Sequence, residues 1–590
     1  MLQRTRLNSF RRVNSFRPAT VYTGRYAVPK PEASEDPFTP PPYLSLIQGF
    51  NQRWRSVNCE KVYLPKNGTE ARLALEDAVS TYAPGQIKFR SGGHCYEDFV
   101  DNAQTKAIID CSQLLDVGYD EEKGYYLGSG ESNWSAFNKV FRMFNKVIPG
   151  GSCYSVGLGG HITGGGYGIM SRLHGATVDW VTGVEAVLLP TGDGDPVARV
   201  YVGEGAEGDI PTVADDLLWA HKGGGGGNFG LVTRFYFKKL PDAPLGALIT
   251  NFKFDWKNLD VTKLKTLLDW YVNFASSKDP KDWIHSIKCM LWHRLHQESG
   301  RYLHLQLHSA YHNDDEQQAA RLFHQQVAHV FNGISPMDVS EPPLVKLGGH
   351  GGWTGRSIVE NTVGNIRDTG EYTFYESTQI MNGSGDNRRG KYKSAYMKQA
   401  FPLAQVQAMW VNLASLNAKT GGVAPGELVD SLLQIDCFGG AINEKDPGDT
   451  AMVQRNFVVK CQYQTYWKDV NKDKIHRQWM DDFYRDMYGP YGGYPDIDHP
   501  SGLFEGCFYN YPDADLNTLC GSREKALRQY FGKNLERLQK VKSSWDPQNH
   551  LQHSQSIPVL TKKAYGGEYD KDLFAVKGYK VGANKVVDEV

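Results

Sequence analysis

The alternation of apolar and polar positions over residues 58–240 predicts short strands separated by helices. Strands are predicted at 61–65, 86–90 and 106–110, and helices at 69–82 and 134–144. The first helix starts at Thr69, a residue type that favours the N-cap position. Strands that alternate with helices indicate an α/β or α+β domain.

The pattern changes at about residue 241, where longer stretches of alternating polar and apolar positions appear. One such stretch places His304, Gln306 and His308 on the same face of a predicted strand. Helices are predicted at 262–275, 315–331 and 524–542. This part of the chain is therefore predicted to form a second α+β domain on an antiparallel sheet.

Composition and charge exclude several classes of function. The chain has 590 residues, with 65 Lys and Arg against 66 Asp and Glu, so its formal charge is −1. A near-neutral chain has no net field to attract nucleic acid or an anionic membrane. No apolar run is long enough for a transmembrane helix. The hydrophobic content of 40% indicates a soluble globular protein rather than wholesale disorder.

The nine cysteines are too dilute for a disulfide-framed fold. Their number is odd, so at least one sulfur is free or bound to something other than a cysteine of this chain.

The N-terminal segment differs in composition from the rest of the chain. Residues 1–31 contain six Arg and no Asp or Glu, a composition typical of an organelle transit peptide, although a plain basic arm has the same composition. Residues 27–43 are rich in Pro and predict an extended linker. We exclude 1–43 from the fold and expect a protein that is organellar or secreted.

Glycine is over-represented, with 62 residues, and is concentrated in two blocks. Residues 150–168 contain nine Gly, and 223–227 are five consecutive Gly followed by Asn228, Phe229 and Gly230. Glycine lets backbone N–H groups approach a ligand closely, as in phosphate-binding loops, but it is also the usual residue of flexible turns. Neither block fits the dinucleotide-binding fingerprint well, since Gly164, Gly166 and Gly168 of the first block lack the GxGxxG spacing, and a P-loop pattern is absent.

Several separated motifs, in order, resemble the flavin-linked oxidases of the berberine-bridge-enzyme type. These have the vanillyl-alcohol-oxidase fold with a PCMH-type FAD domain. The motifs are RSGGH at 90–94, GSC at 151–153, VGLGGH at 156–161, GGGGGNFG at 223–230, DPQN at 546–549 and QSIP at 555–558. Leu551 stands where the family usually has Phe. The resemblance covers about 45–560, and within the family it is greatest to the hexose (carbohydrate) oxidases.

The resemblance implies an α+β fold with two domains. Residues 44–240 correspond to the FAD-binding domain and 241–515 to a substrate domain built on an antiparallel sheet. Residues 516–590 correspond to a C-terminal segment that returns to the FAD domain, which is therefore discontinuous.

The resemblance also implies FAD attached by two covalent bonds, from His94 to the 8α-methyl group and from Cys153 to C6. A cysteine that reacts in this way needs an electropositive or N–H-rich pocket, which Gly150, Gly151 and Ser152 are expected to supply; a small buried hydrophobe is the alternative. Strand-like alternation would turn Cys95 away from the flavin. The other cofactor positions implied are Arg90, Ser91, Gly92, Gly93, Val156, Gly157, Gly159, Gly160, His161, Gly164, Asn228, Phe229, Gly230 and Asn549.

The implied general base is Tyr511, which ends the segment FYNY at 508–511. The family pattern is Tyr-x-Asn-Tyr, so Phe508 replaces a tyrosine and removes one expected substrate hydrogen bond. Because an unperturbed Tyr has a pKa of about 10, the base role needs a lowered pKa or a concerted transfer. Tyr96 is expected at the rim of the active site. A small residue at Val156 is associated with oxygen access and favours an oxidase.

The implied sugar-binding residues are Gln434, Asp436, Gln462 and Gln464, whose side chains supply hydrogen-bond donors and acceptors. Five histidines between 293 and 312 suggest a metal, but no carboxylate or Cys recurs at ligand spacing. We therefore expect no metal, and place the histidine-bearing face of the strand over the flavin.

The favoured hypothesis is an FAD-dependent hexose oxidase that converts the C1 hydroxyl of an aldose to the lactone and reduces O2 to H2O2. Its partners are then a small sugar and O2. One alternative is an oxidase of a secondary metabolite, either an alkaloid or a glycosylated polyketide. A catalytically silent carbohydrate-binding protein is the other.

Overall fold

The structure is a computed structural model, and it describes residues 27–29, 43–190, 197–204, 211–294, 302–339, 365–383, 385–415, 422 and 425–560. Its strands form three sheets of four, five and eight strands. The rest of the N-terminal segment, for which a transit peptide or basic arm is predicted, lies outside the described residues. Within the described part of the chain, no helix has the length and apolar character needed to cross a membrane.

The four-stranded sheet has the order β1-β2-β4-β3. It contains β1 (Ala27–Pro29), β2 (Lys61–Tyr63), β3 (Ile87–Arg90) and β4 (Ala107–Asp110). The strands β2, β4 and β3 are parallel, and β1 is antiparallel to β2. The three strands predicted in this region are confirmed.

The five-stranded sheet is antiparallel, with the order β5-β6-β9-β7-β8. Its strands are β5 (Val117–Asp120), β6 (Gly124–Gly128), β7 (Gly183–Leu188), β8 (Ala198–Gly203) and β9 (Leu231–Phe237).

The eight-stranded sheet has the order β13-β14-β10-β12-β11-β16-β17-β15, and it is antiparallel except for the β13–β14 pair. Its strands are β10 (Gly246–Asp255), β11 (His285–Trp292), β12 (Tyr302–Tyr311), β13 (Asp338–Val339), β14 (Ile366–Thr373), β15 (Arg389–Met397), β16 (Leu432–Cys437) and β17 (Val459–Trp467). The predicted antiparallel sheet is confirmed.

Fourteen α-helices are found in the described ranges. They are α1 (Tyr43–Leu46), α2 (Gly68–Thr81), α3 (Asn133–Phe144), α4 (Leu158–Thr163), α5 (Ser171–His174), α6 (Pro211–His221), α7 (Val261–Ala275), α8 (Asp314–Ile334), α9 (Phe374–Ile380), α10 (Leu403–Met409), α11 (Asp473–Tyr488), α12 (Leu516–Leu519), α13 (Arg523–Phe531) and α14 (Leu535–Trp545).

Two helix predictions need correction. The N-cap of α2 is Asn67, whose Oδ1 accepts a hydrogen bond of 2.8 Å from the backbone N of Glu70, so Thr69 lies inside the helix. The single helix predicted at 524–542 is two helices, α13 and α14. Gly532 between them has a φ of +47°, a backbone conformation that interrupts an α-helix.

The eight-stranded sheet has one apolar and one polar face. Leu303, Leu305 and Leu307 of β12 belong to the largest apolar core, which also contains side chains of α7, α8 and α11. Because successive side chains of a strand point to opposite faces, His304, Gln306 and His308 lie on the other face together, as predicted. The polar face is the one that is available for a functional site.

The C-terminal segment packs against the second glycine block. Lys542 Nζ of α14 donates to the backbone O of Asn228 at 2.9 Å and pairs with Asp546 at 2.6 Å. Asn228 Oδ1 in turn accepts a hydrogen bond of 2.9 Å from the backbone N of Ile557. The division into 44–240, 241–515 and 516–590 remains a proposal, which these contacts support.

A buried ion network joins β15 to two loops. The Nζ atom of Lys391 lies 2.6 Å from carboxylate oxygens of both Glu97 and Asp513. The Nζ atom of Lys393 lies 2.8 Å from the other oxygen of Asp513 and 3.1 Å from Asp481. Glu97 follows His94 by three residues, and Asp513 follows Tyr511 by two. The network therefore fixes both of these segments to the same strand.

Replacing Lys391 by Met leaves Glu97 and Asp513 buried and facing each other without their shared cation. We expect a loss of about 3–5 kcal/mol in the free energy of unfolding. The measurement is the midpoint of denaturant unfolding. The control is Lys106→Met, which removes the exposed 2.7 Å pair with Glu60 and should cost at most about 1 kcal/mol. Equal midpoints for the two variants would contradict the role of the network.

Candidate active site

A cavity of about 410 Å³ lies between the polar face of the eight-stranded sheet and the glycine-rich loops. Most of the residues predicted for cofactor and substrate meet there. Those that line it are Arg90, Ser91, Gly92, Gly93, His94, Tyr96, Cys153, Val156, Gly157, Gly159, Gly160, His161, Phe229, Gly230, Gln434, Asp436, Gln462, Gln464 and Tyr511.

Three predicted cofactor residues lie outside the cavity lining. Gly164 packs under Asn510, because a Cβ added there would lie 2.0 Å from the Oδ1 of that side chain. Asn228 is buried and its Nδ2 donates to the backbone O of Gly224 and of Gly225, so it braces the glycine loop from behind. Asn549 has a φ of +53° and forms the turn after α14. Gly164 and Asn228 therefore act on the structure of the loops.

The two motifs that carry His94 and Cys153 are packed backbone to backbone. A Cβ on Gly92 would lie 2.3 Å from the backbone N of Gly157, and a Cβ on Gly157 would lie 2.3 Å from that of Gly92. Any side chain at either position would push the motifs apart, which explains the requirement for glycine. This close approach is what brings His94 and Cys153 into the same cavity.

His94 is held in a turn after β3. The Arg90 guanidinium donates to the backbone O of Leu46 at 2.6 Å and of Gln48 at 2.9 Å, and so anchors the base of the turn. Phe50 stacks on the imidazole ring with a centroid distance of 4.9 Å. Burial lowers the pKa of His94 to about 4, so the ring is neutral at neutral pH and keeps a nitrogen lone pair.

Cys153 obtains its polar contacts from unexpected residues. The N–H of Gly151 donates to His161 Nε2 at 3.0 Å, so it is not directed at the thiol. The backbone N–H of Gly383 hydrogen-bonds the sulfur instead. Burial raises the pKa of Cys153, and the positive charge of Lys288 acts in the opposite direction. Lys288 also lines the cavity and was missed by the sequence analysis.

Cys95 also lines the cavity, contrary to the expectation that it turns away. The segment after Arg90 consists of bends rather than strand, so the alternation of strand side chains does not apply to it. None of the nine cysteines, all of which lie in the described ranges, forms a disulfide.

Tyr511 lies at the centre of a buried polar cluster. Its Oη hydrogen-bonds the Oη of Tyr167, which also donates to Asp436 Oδ2 at 2.9 Å. Lys460 Nζ donates to Tyr511 Oη at 3.3 Å and lies 3.4 Å from Asp436 Oδ2. The same ammonium group lies 2.9 Å from the ring centroid of Tyr167, as a cation–π contact.

The charges in this cluster shift its proton equilibria. Burial lowers the pKa of Lys460 to about 7; Asp436 opposes that shift and Lys288 adds to it. Burial, followed by the negative charge of Asp436, raises the pKa of Tyr511 well above its ordinary value. Lys460 is therefore the member of the cluster whose charge changes near neutral pH, and it is in hydrogen-bond contact with Tyr511.

Lys460 and Tyr167 were not among the residues predicted from the sequence. Lys460 precedes Gln462 and Gln464 on β17 at the same two-residue spacing, so strand alternation places the lysine on the same face as the two glutamines. Tyr167 is one of the few large side chains in the first glycine block. Its contact with Tyr511, 344 positions away, leaves no local signal.

Aromatic side chains surround the remaining side of Tyr511. Tyr96 stacks on Tyr392 with a centroid distance of 3.5 Å, and its ring lies 6.0 Å from that of Tyr511. The Tyr466 hydroxyl donates to Gln464 Oε1 at 2.9 Å. Tyr96 is thus close to the predicted base, where the sequence analysis expected a rim aromatic.

The glycine loops leave room for a large ligand with an extended polar part. A Cβ added to Gly160 would meet no other atom within 4 Å, although the residue lines the cavity. Gly227, which also lines the cavity, is equally open, since a Cβ added there would meet no other atom within 4 Å. His221 Nε2 is buried at this cavity without a hydrogen-bond partner among the described residues. Bare backbone and an unused polar atom fit a dinucleotide.

In the described ranges, no group of three or more His, Cys, Asp or Glu side chains has an arrangement that could hold a metal ion.

Two family models match the chain. The model described as "FAD binding domain" matches residues 60–194, and the one described as "Berberine and berberine like" matches residues 507–558. The first range contains His94 and Cys153, and the second contains Tyr511.

Curated relatives match over most of the chain. It is 43% identical to the hexose oxidase of Chondrus crispus over 541 residues, which cover 90% of this chain and 96% of that protein. It is 29% identical to the aclacinomycin-N/aclacinomycin-A oxidase of Streptomyces galilaeus, with 87% of this chain and 88% of that protein covered.

The fold is also that of solved flavoenzyme structures. The glycopeptide hexose oxidase DBV29, solved in complex with teicoplanin, has 29% identity and a TM-score of 0.73, with 88% of this chain and 97% of that chain covered. The oxidoreductase GilR, solved with pregilvocarcin, has 28% identity and a TM-score of 0.74, with 88% and 98% covered. This chain belongs to the berberine-bridge-enzyme-like family of FAD-dependent oxidoreductases, with the two-domain vanillyl-alcohol-oxidase fold.

Proposed function

We propose that this enzyme is a carbohydrate oxidase. It oxidises the C1 hydroxyl of an aldose to the lactone, and O2 takes up the two electrons and two protons as H2O2. The observation that carries the proposal is the cluster of Tyr511, Tyr167, Lys460 and Asp436. It places a tyrosine, in contact with a lysine whose charge changes near neutral pH, beside a row of amide side chains. The similarity to two hexose oxidases supports this choice of substrate class.

In this proposal FAD is attached through His94 and Cys153. The neutral imidazole of His94 has the lone pair that a bond to carbon requires, and the sulfur of Cys153 faces the same cavity. The bare backbone at Gly160 and Gly227 accommodates the cofactor, while His221 offers a polar atom toward it. When bound, FAD supplies the chemistry that accepts hydride from the substrate and returns the electrons to O2.

The C1 hydroxyl proton passes to Tyr511. A buried tyrosine with a raised pKa is a poor base by itself. Lys460 changes this, because a protonated Lys460 stabilises the phenolate across a 3.3 Å contact, and a neutral Lys460 can receive the proton through the same contact. The base is therefore the Lys460–Tyr511 pair in the state that has lost one proton, either from the ammonium group or from the phenol.

Sugar recognition falls to the amide and carboxylate side chains of β16 and β17. Gln434 Nε2 donates to Asp436 Oδ1 at 2.8 Å, which orients both side chains on the cavity floor. Gln462 and Gln464 extend the same polar surface along β17. Each amide presents both a donor and an acceptor, which suits the closely spaced hydroxyls of a sugar. Tyr96 is placed at the edge of this surface, where its ring can cover an apolar face of the sugar.

The substrate class is tested with a panel of aldoses and H2O2 detection. We expect peroxide with at least one aldose, in amounts equal to the lactone formed, because the two-electron oxidation is coupled to O2. The control is the 1-deoxy analogue of the best sugar, which lacks the reacting hydroxyl and should give no peroxide. Peroxide from a glycosylated polyketide but from no aldose would instead establish the secondary-metabolite alternative.

The cofactor linkage is tested by acid precipitation and mass spectrometry of peptides. We expect a yellow pellet, with the His94 and Cys153 peptides joined through one flavin. Cys153→Ala should keep the colour and carry the flavin on the His94 peptide alone, because the bond at His94 remains. Cys95→Ala is the matched control and should keep the two peptides joined through the flavin. A colourless pellet from the wild type would show that the flavin is not covalently held.

The proton equilibrium of the base predicts the pH dependence of turnover. The pKa of Lys460 is about 7, so the Lys460–Tyr511 pair loses its first proton as the pH rises through that value. We therefore expect kcat/KM to rise with pH across this region and to be lost at lower pH. The measurement is the profile of kcat/KM from about pH 5 to about pH 9.

Variants of the pair sharpen this prediction. Lys460→Met should remove the rise near pH 7, because Tyr511 then keeps its raised pKa. Tyr511→Phe should lower kcat by a factor of about 10²–10⁴ at every pH and retain the yellow colour. Tyr119→Phe, at a tyrosine that is 51% exposed, is the control. Undiminished turnover in Tyr511→Phe would exclude Tyr511 as the base.

A further inference from the structure

Lys460 is not the only lysine beside Asp436. In the register of the sheet, Lys288 of β11 is directly opposite Asp436 of β16, and Asp436 is directly opposite Lys460 of β17. Side chains directly opposite on neighbouring strands point to the same face, with Cβ atoms about 4.5–5.5 Å apart. Two lysines therefore flank one carboxylate on the cavity floor, and all three belong to one row across three adjacent strands.

The row continues on the far side of Lys288 with neutral side chains. Gln306 of β12 is opposite Lys288, and Asn251 of β10 is opposite Gln306. Gln306 Nε2 donates to Asn251 Oδ1 at 2.9 Å, and Asn251 Nδ2 donates to Asp368 Oδ1 at 2.6 Å. Asp368 is separated from Lys288 by both amides. Within this row, the carboxylate next to Lys288 is therefore Asp436.

The groups that face the two lysines can be named. Lys460 is faced by Asp436, by the phenols of Tyr167 and Tyr511, and by Lys288 at longer range. The rings of Phe438 and Phe508 and the thiol of Cys461 complete its surroundings. Among the described residues, Lys288 is faced by Asp436, Cys153 and His304. Burial lowers the pKa of Lys288 itself, and the negative charge of Asp436 opposes that shift. Burial raises the pKa of both thiols and lowers that of His304, so these three groups are uncharged at neutral pH.

We propose that Lys288 is a positioning residue for the base: it shares Asp436 with Lys460, and so limits how firmly that carboxylate retains the proton on Lys460. This rests on the proposed function, in which the Lys460–Tyr511 pair removes the substrate proton. With Lys288 present, one negative charge is divided between two cations. Without it, Asp436 acts on Lys460 alone and the repulsion between the two lysines is removed.

The proposal predicts the direction in which the pKa of Lys460 shifts when Lys288 is replaced. Removing the positive charge of Lys288 raises the pKa of Lys460, so the pair loses its proton at a higher pH. A unit charge at about 10 Å in a protein site shifts a proton equilibrium by about one pH unit. The rise in kcat/KM with pH should therefore move upward by about one unit in Lys288→Met. At a pH below the midpoints of both enzymes, the kcat/KM of Lys288→Met should be about tenfold lower than that of the wild type. Above both midpoints the two values should be equal.

The experiment compares pH profiles of the holoenzyme. Lys288→Met should show the upward shift, and Lys288→Arg, which keeps the charge, should retain the wild-type profile. The control is Lys253→Met on β10, a partly buried lysine on the same sheet face that is not in the row with Asp436. It should leave the profile unmoved. Lys288→Gln is a second neutral variant in case Lys288→Met fails to fold, and it should show the same shift.

A second measurement reads Lys460 without turnover. The 13C chemical shift of the Cε atom of Lys460, recorded in selectively labelled protein at a series of pH values and assigned with Lys460→Met, reports the fraction of Lys460 that is unprotonated and needs no reagent to reach the buried side chain. Its midpoint should rise in Lys288→Met and in Lys288→Gln and stay unchanged in Lys253→Met. An unmoved midpoint, or a downward shift, overturns the proposal, and so does a loss of activity that is equal at all pH values. If the wild-type profile has no rise near pH 7, the proposed role of the Lys460–Tyr511 pair as the base is wrong. That result is distinct from a wild-type rise that Lys288→Met does not shift, which overturns only the role of Lys288.

Discussion

The site depends on the burial of one ammonium group with a single carboxylate. Lys460 has no access to water, so its charge is supported by Asp436, by the hydroxyl of Tyr511 and by the ring of Tyr167. These groups come from β16, from the C-terminal part of the chain and from the first glycine block. Each must hold its position for the ammonium group to be tolerated, so the requirements of one buried charge fix the relative placement of three distant segments.

The excess of glycine has two different physical causes. At Gly92 and Gly157 the two backbones touch, and the absence of side chains is needed for the protein to close on itself. At Gly160 there is open space, and the absence of a side chain is needed for a ligand instead. The sequence presents both as glycine-rich motifs and does not distinguish them. The difference matters for function, because only the second kind of glycine leaves backbone exposed toward a cofactor.

What the sequence could predict was local. Strand alternation predicted the shared face of His304, Gln306 and His308, and separated motifs predicted the family and most of the residues at the cavity. The row of Lys288, Asp436 and Lys460 was missed because it depends on strand register: these residues lie far apart in the chain and become neighbours only when β11, β16 and β17 pair. The break at Gly532 was missed for a different reason: it depends on a single local backbone angle, which the apolar periodicity of 524–542 does not report.

Two adjacent strands show how local charge decides what a buried lysine does. Lys391 on β15 and Lys460 on β17 are both fully buried, and burial lowers the pKa of each. Lys391 is surrounded by Glu97, Asp513 and Asp515, which overcome that effect and raise its pKa above the usual range. Lys460 has one carboxylate and must share it, so its pKa falls to about 7. Several carboxylates around one lysine, as at Lys391, keep the ammonium group protonated, so that it holds the surrounding loops together. A single shared carboxylate makes a group that exchanges a proton at neutral pH, and this group is in hydrogen-bond contact with Tyr511.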